Sequence, residues 1–132
     1  MRIVYDDTQL DVLVDTVSKI ITQSFKTAVD MKYVTRRSCG INRVEVGLVK
    51  QRLGNMLREH GFEIGNDVFH AHGIGNNNRY PVYYNTPTEK QQVGHLHLNS
   101  DMYGGVYVYV TDYNLLRHGQ EYKLTEYGYV TS

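Results

Sequence analysis

The stretch His95-Leu96-His97-Leu98, followed across residues 99–105 by Val106-Tyr107-Val108-Tyr109-Val110, decides the fold. Side chains of a strand point alternately to its two faces, so each half of this stretch has one aliphatic face and one polar or aromatic face. Gly104 and Gly105 sit between the halves and can turn the chain with positive φ. Pairing the halves as a hairpin buries the leucines with the valines. His95 and His97 then share the opposite face with Tyr107 and Tyr109.

Working outward, the alternation continues. Further strands are expected over about 67–73, 79–86 and 121–130, alongside 92–99 and 105–111. Gly73-Ile74-Gly75-Asn76-Asn77-Asn78 is a strong turn signal between the first two. Pro81 has no N–H for a ladder and should stand at a strand start or on an edge. Residues 113–119 have room for one helical turn. Tyr127 and Tyr129 in the last strand repeat the tyrosine alternation and are expected on the same face as Tyr107 and Tyr109.

Before Gly61 the period changes. Leu10, Leu13, Val14, Val17, Ile20, Ile21 and Phe25 recur at helical spacing behind capping candidates Asp6, Asp7 and Thr8. A second helix is expected over about 44–60, with Val46, Val49, Leu53, Met56 and Leu57 as its apolar stripe and Gly61 as its left-handed stop. The whole predicts one α+β domain over residues 1–132. Two N-terminal helices (helical part about 1–62) pack on a C-terminal antiparallel sheet of about five strands (about 66–131).

The 132 residues carry 14 basic and 14 acidic side chains. Zero net charge excludes a globally basic nucleic-acid coat and an acidic nucleic-acid mimic. It also hides an asymmetry. Between Lys32 and Arg58, seven basic residues face one acid, Glu45. Arg36, Arg37, Arg43, Lys50, Arg52 and Arg58 are therefore candidate phosphate-binding residues, of the types that reach phosphates and base edges. Helix, turn, helix and hairpin is also the element order of a winged helix, but the would-be wing, residues 68–84, supplies only Arg79.

Ten of the twelve tyrosines lie at or after Tyr80. On a sheet surface they can stack planar bases or form a subunit interface, which makes Tyr107, Tyr109, Tyr127 and Tyr129 candidate stacking or interface residues. Two His-x-His pairs, His70 with His72 and His95 with His97, aim imidazoles alike. If the pairs converge they could hold zinc; otherwise no cofactor is expected. Asp67, Asp101 and Asp112 are the acids available to orient them. No phosphate-binding Walker loop, serine-hydrolase elbow or glycosidase carboxylate pair is present, and Gly73-Ile74-Gly75 lacks the third glycine of a dinucleotide fingerprint.

The lone Cys39 excludes an internal disulfide, and no apolar run approaches the length of a bilayer span. With a polar, acidic stretch over residues 1–9, these features predict a cytoplasmic protein with no membrane partner. The leading expectation is a small non-catalytic binding protein, of the character of a phage or mobile-element accessory protein. It would recognise nucleic acid or a small nucleotide through the basic helical region and the Tyr/His-rich face, as a homo-oligomer. The alternatives are self-association through the tyrosine face and a His-x-His metal protein or metalloenzyme.

Overall fold

The computed structural model describes residues 7–25, 34–36, 42–66, 69–70, 76–101 and 104–131. In chain order the elements are α1 (Asp7–Ser24), β1 (Val34–Arg36), β2 (Asn42–Val44), α2 (Val46–Glu59), β3 (Phe62–Ile64), β4 (Phe69–His70), β5 (Asn76–Asn85), β6 (Lys90–Ser100), β7 (Val106–Asp112), β8 (Tyr122–Thr125) and β9 (Gly128–Thr131). The α+β arrangement stands as read from the sequence. The strands are more numerous: six run in the order β3-β5-β6-β7-β8-β9, and β4 also pairs with β5. Every pairing is antiparallel.

The expected 95–110 hairpin forms in the register that the alternation requires, with Leu96 opposite Val110, Leu98 opposite Val108 and His97 opposite Tyr109. Both helices lie on the aliphatic face. α1 crosses β6 and β7, while α2 packs on β3 and β6. Leu13, Val17, Ile21, Val49, Leu53 and Leu57 close over Leu96, Leu98, Val106, Val108 and Leu124 in a single buried cluster. At about 1.5–3 kcal/mol per fully buried aliphatic side chain, this layer is the main source of stability. Tyr122 is buried there too, and its hydroxyl meets Ser18 Oγ at 2.5 Å, so its polar end is satisfied.

Four details depart from expectation. The last strand is two, because Glu126 and Tyr127 turn the chain between β8 and β9, with Thr125 opposite Gly128 and φ +112° at Gly128. A small β1–β2 hairpin precedes α2. Residues 113–119 form no helical turn. Pro81 lies in the middle of β5, opposite His95. It is tolerated because Gly65 N–H donates to its carbonyl just past the end of β3, so the missing N–H falls where pairing on that side breaks off.

Gly61 stops α2 with φ +86°, as its position predicts. Of the first expected strand, 67–73, Phe69–His70 are described and form β4; residues 67–68 and 71–73 (with His72), the glycine turn at 73–75, and Cys39 lie outside the described residues. Among the described residues, no helix is long and apolar enough to cross a membrane.

Candidate functional site

The sheet face opposite the helices is built by alternation. β5 contributes Asn77, Arg79 and Pro81; β6 contributes His95, His97 and Asn99; β7 contributes Tyr107, Tyr109 and Thr111. Register then sets them side by side: Arg79 opposite His97, His97 opposite Tyr109, His95 opposite Thr111 and Asn99 between Asn77 and Tyr107. The His97 and Tyr109 rings stack nearly parallel, 6° between planes and 4.4 Å between centroids. His118 joins them through an isolated bridge to Thr111, with its ring edge-on to Tyr109 at 6.0 Å. Arg79, His97, Tyr109 and His118 thus form one row across three strands and the following loop.

The hydrogen bonds of the row are specific. His97 Nε2 meets Thr111 Oγ1 at 2.9 Å, and Asn99 Nδ2 donates to the Tyr109 hydroxyl at 3.4 Å. His95 is buried, its Nε2 lies 3.2 Å from the Tyr113 carbonyl and donates to it, and its Nδ1 is buried with no partner among the described residues. A second ring proton would therefore be an unsatisfied donor. Burial lowers the pKa of His95, assisted by the Arg79 charge and opposed by the Tyr113 hydrogen bond. Burial lowers that of His97 further, to about 4, with His95, Arg79 and His118 acting in the same sense. At neutral pH both imidazoles are uncharged, and each offers one donor and one acceptor.

A pocket of about 200 Å³ opens at this row, lined by Asn77, Asn78, Arg79, His97, Asn99 and Tyr109. The carboxamides of Asn77 and Asn99, a guanidinium, an imidazole edge and a phenol surround one small volume, while the Asn78 side chain alternates to the other face and donates to the Leu98 carbonyl at 3.4 Å. Farther along the same face, Lys123 Nζ lies 5.5 Å from the Tyr107 ring centroid and 3.6 Å from Asp101.

The sequence-predicted sites are divided by the sheet. Lys50 Nζ sits 4.4 Å over the ring of Tyr80, which is buried opposite Leu96 on the helix side. Arg52 lies over Phe25 and donates from Nη2 to the Ser24 carbonyl at 2.9 Å, so it ties the end of α1 to α2. Arg58 is exposed on α2, and Arg43 is on β2. Arg36 is placed by its backbone on β1 only, and Arg37 lies outside the described residues. Among the described residues, the cations of α2 do not border the histidine and tyrosine face, because α2 packs on the opposite, aliphatic face of the sheet. The cations that the histidine and tyrosine face itself carries include Arg79 and Lys123.

The tyrosine set divides as well. Tyr107 and Tyr109 are on the open face. Tyr129 stands opposite Leu124 and packs against the core edge-on to Tyr122, while Tyr127 is exposed in the β8–β9 turn. The two-residue turn shifts the parity that the expected single strand assumed. Even Tyr109 is no bare platform, since His97 occupies one face of its ring.

For the metal reading, the backbone of His70 pairs with Asn78, and no group of three or more metal-ligating side chains forms among the described residues. Asp112 and Asp101 are engaged elsewhere, in hydrogen bonds to the backbone of residues 114–117 and of Gly105. Sequence reasoning missed Arg79 and His118. Arg79 could have been found as one of four basic residues after position 64, placed in a strand that borders the histidines. His118 reaches the face from a loop, where no periodicity points to it.

A comparison with protein-family models, curated proteins and solved structures finds no match for this chain.

Proposed function

We propose that this is a binding protein that takes a nucleotide, free or within a single strand of nucleic acid, on its open sheet face. The observation that carries the reading is the pocket lined by Asn77, Asn78, Arg79, His97, Asn99 and Tyr109. Carboxamides present donor and acceptor together, the pairing that base edges and ribose hydroxyls require. Arg79 supplies positive charge for a phosphate in the planar, two-pronged form that binds it best. The neutral imidazole of His97 adds a directional hydrogen-bonding group without repelling the guanidinium. The volume is smaller than the roughly 300–1,000 Å³ of enclosed ligand sites, so it suits one part of a nucleotide and leaves the remainder in solvent.

The test is titration of AMP, GMP, CMP, UMP and short oligonucleotides at low salt, read by calorimetry or anisotropy. Replacing Asn77 and Asn99 together by Ala should weaken binding about five- to a hundredfold, at roughly 0.5–1.5 kcal/mol per hydrogen bond lost. Arg58→Ala should leave affinity unchanged. A single phosphate contact predicts a shallow salt slope, near −1 in log–log form. Absence of binding to the whole set, or binding abolished by Arg58→Ala and indifferent to the Asn pair, would reject the reading.

A further inference from the structure

Sheet register draws the floor of the pocket. Asn77 of β5 stands opposite Asn99 of β6, Arg79 opposite His97, and Tyr109 of β7 beyond His97. Opposed residues of neighbouring strands lie about 5 Å apart and same-face neighbours along one strand about 7 Å apart, so the first four side chains frame a small, four-cornered floor. Among the described residues that line it, none is acidic. The carboxylates of Asp101 and Asp112 are turned instead to the backbone N–H groups of Gly105 and of residues 114–117. Burial first, and the Arg79 charge in addition, lower the pKa of both His95 and His97, so the positive charge reaches both rings.

The polar groups around this floor can all donate. The Tyr109 hydroxyl accepts from Asn99 Nδ2 at 3.4 Å, which leaves its own hydrogen to give. His97 Nε2 meets the Thr111 hydroxyl at 2.9 Å. A hydroxyl donates as well as accepts, so Thr111 allows the ring proton to sit on Nδ1. Asn77 and Asn99 carry amide hydrogens, and Arg79 carries the planar fork of N–H groups that matches phosphate oxygens. A base is held differently, on an aromatic face. The two rings that line this pocket already have one face against each other, at 4.4 Å. We propose that the terminal phosphate of the ligand enters this pocket and that its base remains outside. The proposal rests on the nucleotide reading for its ligand and adds which end of that ligand is recognised. With donors contributed by β5, β6 and β7, a group with three free oxygens and one exit satisfies more of them than an internal phosphodiester, which has two of each. Such a phosphate is carried by a free mononucleotide or by the phosphorylated end of a single strand.

Calorimetry at low salt with inorganic phosphate, AMP, adenosine, and one oligonucleotide with and without a 5′-phosphate tests the proposal. Inorganic phosphate should bind, compete with AMP, and shift the backbone amides of Asn77 to Arg79 and His97 to Asn99. AMP should bind at least about tenfold more tightly than adenosine, since the charge-assisted bonds belong to its phosphate. Arg79→Gln should weaken phosphate and AMP alike by at least about tenfold. Asn77→Asp, at an exposed position, should abolish competition by phosphate through like-charge repulsion while the protein stays folded. An oligonucleotide that gains affinity from its 5′-phosphate assigns the strand end as a source; one indifferent to it, with AMP still preferred over adenosine, assigns the free nucleotide. Adenosine binding as tightly as AMP, with no competition by phosphate, overturns the inference and leaves the nucleotide reading standing. Phosphate that shifts only the amides of α2 also overturns it. Phosphate that occupies the pocket while no nucleotide binds keeps the phosphate seat and rejects the nucleotide reading. Silence from every ligand rejects both.

Discussion

His97 and Tyr109 stand directly opposite each other on neighbouring strands and stack at 4.4 Å with 6° between their planes. Cross-strand pairing fixes the distance, and alternation puts both rings on the face without helices. Tyr109→Ala should lower stability by about 1–2 kcal/mol, the sum of lost ring burial and stacking. Tyr109→Phe keeps the stack and removes the hydroxyl that accepts from Asn99. It should leave the urea midpoint within error of wild type while weakening ligand binding. Urea denaturation of both variants beside a binding titration separates the two contributions.

The depressed pKa of His97 makes stability depend on pH in a defined window. The unfolded chain takes up a proton near the ordinary 6.5, whereas the folded one waits until about 4. Stability is therefore complete above pH 6.5 and is lost progressively as pH falls towards 4, by about 1–3 kcal/mol for this ring, whose partial exposure lets solvent screen part of the effect. His95 shifts in the same direction and adds to the loss. His97→Gln should flatten the decline between pH 6.5 and 4 when urea midpoints are measured across that range.

Asp112 gives a second, more acidic window. Burial pushes its carboxyl up, the N–H groups of Arg117, Leu116 and Asn114 outweigh that, and the net shift is downward. Its stabilisation is present above its ordinary value near 3.8 and disappears below it. Asp112→Asn weakens the charge-assisted bonds and should cost about 2–3 kcal/mol. Hydrogen exchange should show lost protection first at Leu116 and Arg117, before β6 and β7 respond.

Two glycines invite opposite outcomes. Gly54 lies inside α2, and a Cβ there would meet only Ile64 Cδ1, at an ordinary 3.7 Å. Gly54→Ala should raise stability by up to about 1 kcal/mol through helix propensity. At Gly94 in β6 a Cβ would collide with the backbone oxygen of Thr111. Gly94→Ala must separate β6 from β7 and should cost about 3 kcal/mol or prevent folding. Thermal melts of the two variants check both signs.

Much of the fold was legible in the chain because its strands are half-buried. Leu96, Leu98, Val106, Val108 and Val110 alternate cleanly, so period alone fixed face and register for β6 and β7. The stripe from Leu10 to Phe25 did the same for α1. Short elements carried no such signal: β1, β2 and β3 have three residues each, too few to show a period. The turn at Glu126–Tyr127 lacks the usual Asn-Gly signature, and it reverses the faces of the β9 residues, so that Tyr129 packs on the core. Charge was the least legible property. Lys50 and Arg52 look like a binding surface in sequence, yet their long side chains lie over Tyr80 and Phe25.

The open sheet face and the basic helix are rival places for the ligand, and the reading proposed above puts it on the sheet. Titrating isotopically labelled protein with AMP and with a short oligonucleotide while following backbone amide shifts tests it most directly. Binding on the sheet face should concentrate the shifts at Asn77 to Arg79, His97 to Asn99 and Tyr109. Shifts clustered along α2 around Arg58, or none at millimolar ligand, would contradict it.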